Sequence, residues 1–132
     1  MTPTLDTLDH LVLTVADIDQ TVAFYTGVLG MIAEQFTPAD GSTRWALKFG
    51  SQKINLHLAG REWDPKAQTP VPGSADLCFL SSIALEVWID WLKGQHVPVE
   101  MGPINRTGAT GPIRSLYLRD PDGNLLEISN PL

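Results

Sequence analysis

The residues of this 132-residue chain with metal or acid–base chemistry open to them are three histidines, one cysteine and a scatter of carboxylates. Four of them sit inside short apolar segments of strand character: His10 in LDHLVLTV, His57 in INLHL, Asp76 in ADLCF and Glu127 in LLEIS. Two imidazoles with one or two carboxylates suit a divalent transition metal, because neutral imidazole offers a nitrogen lone pair and carboxylates balance the charge. With water in the remaining positions, such an ion polarises a substrate oxygen or lowers the pKa of a bound water. A lone His in a strand is an ordinary surface or hydrogen-bonded residue, so the case rests on all four occupying matching places. His96, in a loop, has no counterpart and reads as surface. Cys78 faces the same side as the four but stands alone, and reads as a small core residue. With no second cysteine, an intrachain disulfide and a Cys-rich zinc site are both excluded.

The elements that must position these groups follow from hydrophobic periodicity. Residues 8–15 alternate as a strand, with Leu11, Leu13 and Val15 on one face and His10, Val12 and Thr14 on the other. Asp17 offers an N-cap with Gln20 three residues on. Ile18, Val22, Tyr25 and Leu29 then recur at helical spacing until Gly27 and Gly30. Strands at 31–37, 44–49 and 53–58 follow, separated by the turns Asp40-Gly41 and Gly50-Ser51. Residues 59–74 hold three prolines and two glycines and read as a linker. The order then restarts: a strand at 75–80, a helix at 82–93, strands at 98–101, 113–119 and 124–129, a Gly-rich loop at 105–111 and the turn Asp120-Pro121-Asp122-Gly123.

Strand, helix and three strands thus occur twice, in module one (about 7–58) and module two (about 75–129), within one domain spanning 1–132. His10 and Asp76 open the first strands, and His57 and Glu127 lie in the last strands, 47 and 51 residues later. Strand parity puts His57 opposite Ile54, Leu56 and Leu58, and Glu127 opposite Leu126 and Ile128. The expected fold is α+β: two βαβββ modules forming a curved, cup-like mixed sheet with the helices outside and the four polar groups inside.

Bulk properties narrow the function. Hydrophobic residues make up 43% and charged residues 18%, a globular balance. The net charge of −6 and only nine scattered Lys and Arg disfavour nucleic acid and anionic membranes. The first ten residues lack a signal-peptide pattern and no apolar run is long enough to span a bilayer, so a cytoplasmic protein is expected.

The stretches DHLVLTVADIDQTVAFYTGVLG (9–30) and LYLRDPDGNLLEIS (116–129) resemble the vicinal oxygen chelate superfamily, which includes glyoxalase I, bleomycin-resistance proteins and extradiol dioxygenases. KINLHL and PGSADLCF further resemble small glyoxalase-like members. The resemblance implies metal ligands from the first and last strands of each module, here His10, His57, Asp76 and Glu127. It also implies one divalent ion per site (zinc, nickel, iron(II) or manganese), a small-molecule substrate and a homodimer. Glyoxalase I enzymes place Glu at the position of His57 and His at that of Asp76, so Asp76 is open as a direct ligand, a water holder or an orienting residue.

Three functions are therefore expected, in this order. The first is a metal-dependent lyase or isomerase of glyoxalase type, with Glu127 or Asp76 as general base. The second is an extradiol-type iron(II) dioxygenase built on His10, His57 and Glu127. The third is a metal-free, ligand-sequestering protein of the bleomycin-resistance kind. Arg106 and Arg114, flanking the Gly-rich loop, are candidates for a substrate carboxylate or phosphate, and Tyr117 for the cup wall. Trp63 either closes over the site or covers the core, and Trp88 and Trp91 read as helix packing.

Overall fold

The computed structural model describes all residues 1–132, in two compact units, Met1–Val71 and Pro72–Leu132. In the first unit the order is β1 (His10–Val15), α1 (Ile18–Gly27), β2 (Ile32–Phe36), β3 (Arg44–Phe49) and β4 (Gln52–Leu58). They form a sheet of order β1-β4-β3-β2, with β1 and β4 parallel and the other neighbours antiparallel. The second unit repeats the order as β5 (Asp76–Leu80), α2 (Leu85–Gly94), β6 (Met101–Thr107), β7 (Pro112–Arg119) and β8 (Leu125–Pro131). Its sheet runs β5-β8-β7-β6, again with the first pair parallel. The α+β character and the duplicated βαβββ order are as the periodicity requires, in two four-stranded sheets rather than one. No helix is long and apolar enough to cross a membrane.

Each core lies between a helix and one face of its own sheet. In the first unit Leu13, Val15, Leu47, Ile54 and Leu56 are buried on one face, with Tyr25 of α1 fully buried among the core side chains. In the second, Leu116, Leu118, Leu126 and Ile128 are buried with Leu85 and Leu92 of α2. Each such side chain contributes about 1.5–3 kcal/mol on leaving water. The alternate strand residues belong to the helix-free face, which is where the polar candidates sit.

The helix ends are fixed differently. Asp17 caps α1 as expected, its Oδ1 accepting the Gln20 N–H at 2.8 Å. The expected start of α2 at Ser82 is corrected to Leu85, and the N-cap residue, Ala84, has no capping side chain of its own. Asn130 of β8 supplies the cap instead: Oδ1 accepts the Leu85 N–H at 2.8 Å, and Nδ2 donates to the carbonyls of Ser81 and Ile83.

A second correction concerns residues 98–111. Instead of a short strand ending at Met101 and a loop from Asn105, a strand β6 runs from Met101 to Thr107 with a register shift between Met101 and Ile104, and residues 98–100 and 108–111 lie outside it. Gly102 makes this possible. Its φ is +110°, and a Cβ there would lie 2.5 Å from the Ser115 carbonyl oxygen.

The turn before β8 carries a polar clip. Asp120 Oδ1 accepts the N–H groups of Asp122 and Asn124, Asp120 Oδ2 accepts from Asn124 Nδ2, and Asn124 Oδ1 accepts the Ala75 N–H. Asn124 is 1% exposed and ties the entrance of β5 to that of β8.

Candidate functional site

On the helix-free face of the first sheet the ladder pairs His10 with Lys53, Val12 with Asn55 and Thr14 with His57. His10 is exposed at the start of β1, its Nδ1 2.8 Å from Asp9 Oδ2. His57 lies four register steps along, about 13 Å at ordinary strand rise. The two imidazoles therefore stand near opposite ends of the β1–β4 ladder. Asn55 stands nearer, two steps from the level of His10, and its Oδ1 is buried without a hydrogen-bond partner.

His57 belongs to a different cluster. It is 6% exposed, and its ring meets Trp63 edge-on at 5.3 Å, so this linker tryptophan covers the helix-free face. The Arg44 guanidinium lies 4.2 Å from the Trp63 ring centroid, held by Asp40 at 2.6 Å and by Ser42. Burial, and after it Arg44, lowers the pKa of His57; Glu62 opposes this and Lys66 adds to it. A cavity of about 240 Å³ opens here, lined by Thr14, His57, Pro65 and Lys66 among others. Glu62 Oε2, nearby in charge but not in hydrogen bonding, is buried without a partner.

On the helix-free face of the second sheet Glu127 pairs with Cys78 on one side and Tyr117 on the other. Asp76 is two register steps back on β5, so the two carboxylates are diagonal neighbours. Ser129, fully buried, donates to Glu127 Oε2 at 3.4 Å and bonds Ser115 Oγ at 2.7 Å. Cys78 is exposed rather than a core residue, but desolvation at the sheet face still raises its thiol pKa, and Glu127 and Asp76 add to this against a hydrogen bond with Ser129. The thiol therefore stays protonated at neutral pH.

The two candidate arginines separate. Arg114 points to the helix side, in an ion pair with Glu86 of α2 at 2.6 Å, because its strand parity is that of Leu116 and Leu118. It is thereby removed from the face that carries Glu127. Arg106 is on that face: its Nε donates to Tyr117 Oη at 2.9 Å. A cavity of about 550 Å³ is lined by Arg106, Glu127, Cys78, Leu80, the loop 107–111 and Ile113.

Equivalence between the units can now be read from the ladders rather than from chain lengths. Val12 faces Asn55 as Cys78 faces Glu127, and Thr14 faces His57 as Leu80 faces Ser129. The counterpart of Glu127 is thus Asn55, not His57, a two-residue correction that leaves the face unchanged.

The sequence profile of the glyoxalase/bleomycin resistance protein/dioxygenase superfamily matches residues 7–128. This chain belongs to that superfamily. The virulence protein STM3117 of Salmonella typhimurium strain LT2 is 51% identical over 125 residues, 95% of this chain and 84% of the relative. The glyoxalase domain-containing protein RDO1 of Mycosarcoma maydis is 52% identical over 123 residues, 93% of this chain and 67% of the relative. Among solved structures, the integron cassette protein VCH_CASS1 of V. cholerae is 52% identical with a TM-score of 0.92, over 98% of both chains.

Members of this superfamily include metal-dependent enzymes, and the residues on the helix-free faces fit a divalent ion in type. The first unit offers His10 and the orphaned Asn55 oxygen; the second offers Asp76 and Glu127. Donors of these types suit manganese, iron(II) or zinc. Neither unit by itself gathers three His, Cys, Asp or Glu side chains as a group.

Proposed function

We propose that this chain is a metal-dependent enzyme of glyoxalase type, a lyase or isomerase of a small oxygenated substrate, with Glu127 as its general base. The observation that carries the reading is the position of Glu127: half-buried on the wall of the larger cavity, braced by Ser129 and diagonal to Asp76. The proposed metal donors are Asp76 and Glu127 in the second unit and, in the first, His10 and Asn55, with Asn55 taking the place first expected for His57. When bound, a divalent ion there would polarise adjacent substrate oxygens. The rest is the protein's work. Glu127, once free of the ion, takes a proton from the substrate carbon and returns it, and Ser129 orients the carboxylate for that transfer. Leu80 and Ile113 supply apolar wall to the cavity beside it. The chain works as a cytoplasmic homodimer in this reading. Val12, Ile32, Leu80 and Met101, all on helix-free faces, are exposed in the single chain, as a face that meets a second copy would be.

Metal analysis of protein purified without chelator, combined with the Glu127→Gln variant, tests the reading. A stoichiometric ion, with turnover of a thiohemiacetal or related substrate reduced about a hundredfold or more in Glu127→Gln, is the expected result. Oxygen consumption with a catechol would instead favour the dioxygenase. A second reading, a metal-free ligand-sequestering protein, is favoured by the apolar walls of the larger cavity. Absence of any ion, with ligand uptake unchanged in Asp76→Asn and Glu127→Gln, would replace the enzyme by that reading.

A further inference from the structure

We propose that Arg106 recognises a carboxylate, and that the ligand of the larger cavity is a small carboxylic acid with a short apolar body. This rests on the reading above in taking the cavity beside Glu127 as the substrate site. The second unit has three arginines, and two are neutralised within the fold: Arg114 by Glu86 at 2.6 Å and Arg119 by Glu100 at 3.0 Å. Arg106 meets no carboxylate. Its Nε donates to Tyr117 Oη at 2.9 Å, Nη2 makes a weak contact with Met101 Sδ at 3.7 Å, and the guanidinium lies 5.5 Å from the Tyr117 ring centroid. A phenol and a thioether orient the side chain without cancelling its charge, and they leave Nη1 and part of Nη2 free. That free edge is a planar fork, matched in shape to a carboxylate.

Charged and apolar side chains both line the cavity around it. Arg106 and Glu127 supply the charges, and Leu80, Pro112, Ile113 and Pro131 supply the apolar wall. A ligand carboxylate on Arg106 leaves an aliphatic stem against that wall and the reacting end towards Glu127. The arrangement also disfavours a second carboxylate at the reacting end, where Glu127 would repel it. Tyr117 is a positioning residue: it touches Arg106 and fixes the direction of the fork.

Calorimetric titration of metal-stripped protein with butyrate, butyramide and methyl phosphate tests the assignment. Butyrate is expected to bind saturably, with butyramide about tenfold weaker or more, because the amide cannot form the charge-assisted pair. Arg106→Gln should lose about tenfold or more of the butyrate affinity, and Arg106→Lys should lose several-fold by replacing the fork with a point charge. Tyr117→Phe, which keeps the ring, should weaken butyrate about threefold with an unchanged circular dichroism spectrum. No butyrate binding, equal binding of butyramide, or an unaffected Arg106→Gln variant would overturn the proposal, and tighter binding of methyl phosphate would overturn the carboxylate assignment. The titration needs neither metal nor turnover, so its failure is distinct from that of the enzyme reading.

Discussion

Burial and the flanking Arg44 hold the His57 pKa below its ordinary value of 6.5. A folded-state pKa below the unfolded one means that the unfolded chain takes up the proton first. His57 is therefore expected to favour folding fully above pH 6.5, and this contribution to stability is lost as the pH falls through its folded pKa. Urea denaturation from about pH 8 to about pH 5 should show this loss, and His57→Gln should flatten it. Asn55 makes a different prediction. Its buried, unpartnered oxygen sits where the second unit has Glu127, so Asn55→Asp should tighten manganese binding by about tenfold and Asn55→Leu should weaken it. Alternation made the faces of all these residues legible in the sequence. The offset between His57 and Asn55 was not, because both lie on the same face and chain length is blind to a two-residue step along a strand.

At the scale of elements, β1, α1 and β3 could be read almost to their ends, since their caps and turns are local. The failures at α2 and β6 share a cause: each depends on a contact with residues distant in sequence. The side chain that starts α2 is Asn130, 45 positions after Leu85. Asn130→Ala should cost about 2 kcal/mol by chemical denaturation, and Asn130→Asp about half of that because the acceptor is retained. β6 exists because Gly102 lets two backbones approach where any Cβ would collide with Ser115 and Leu116. Gly102→Ala should therefore cost about 3 kcal/mol or more, read in the same way, from the positive φ and the close contact together.

For the whole molecule, the net charge of −6 and the helix-free carboxylates make divalent cations stabilising ligands in the proposed reading. Manganese or zinc at about a hundred times its dissociation constant should add about 2.7 kcal/mol, raising the melting temperature by roughly 10 °C for a chain of this size. Chelator should reverse the shift, and Asp76→Asn should abolish most of it. Light scattering is expected to give twice the chain mass, falling towards the monomer when Leu80 and Met101 are replaced by Lys. The Asn124 clip has a consequence for how such a chain tolerates change. Asp76 and Glu127 are held diagonal by a parallel ladder whose entrances are joined at Ala75 and Asn124, while α2, β6 and β7 all lie between them in the chain. The separation of the two carboxylates is thus set across the ladder and is independent of the length of the intervening polypeptide. Residues inserted between α2 and β6 would leave it unaltered. A single residue inserted between Asn124 and Leu126 would turn the carboxylate into the core and bring Leu126 to the cavity in its place.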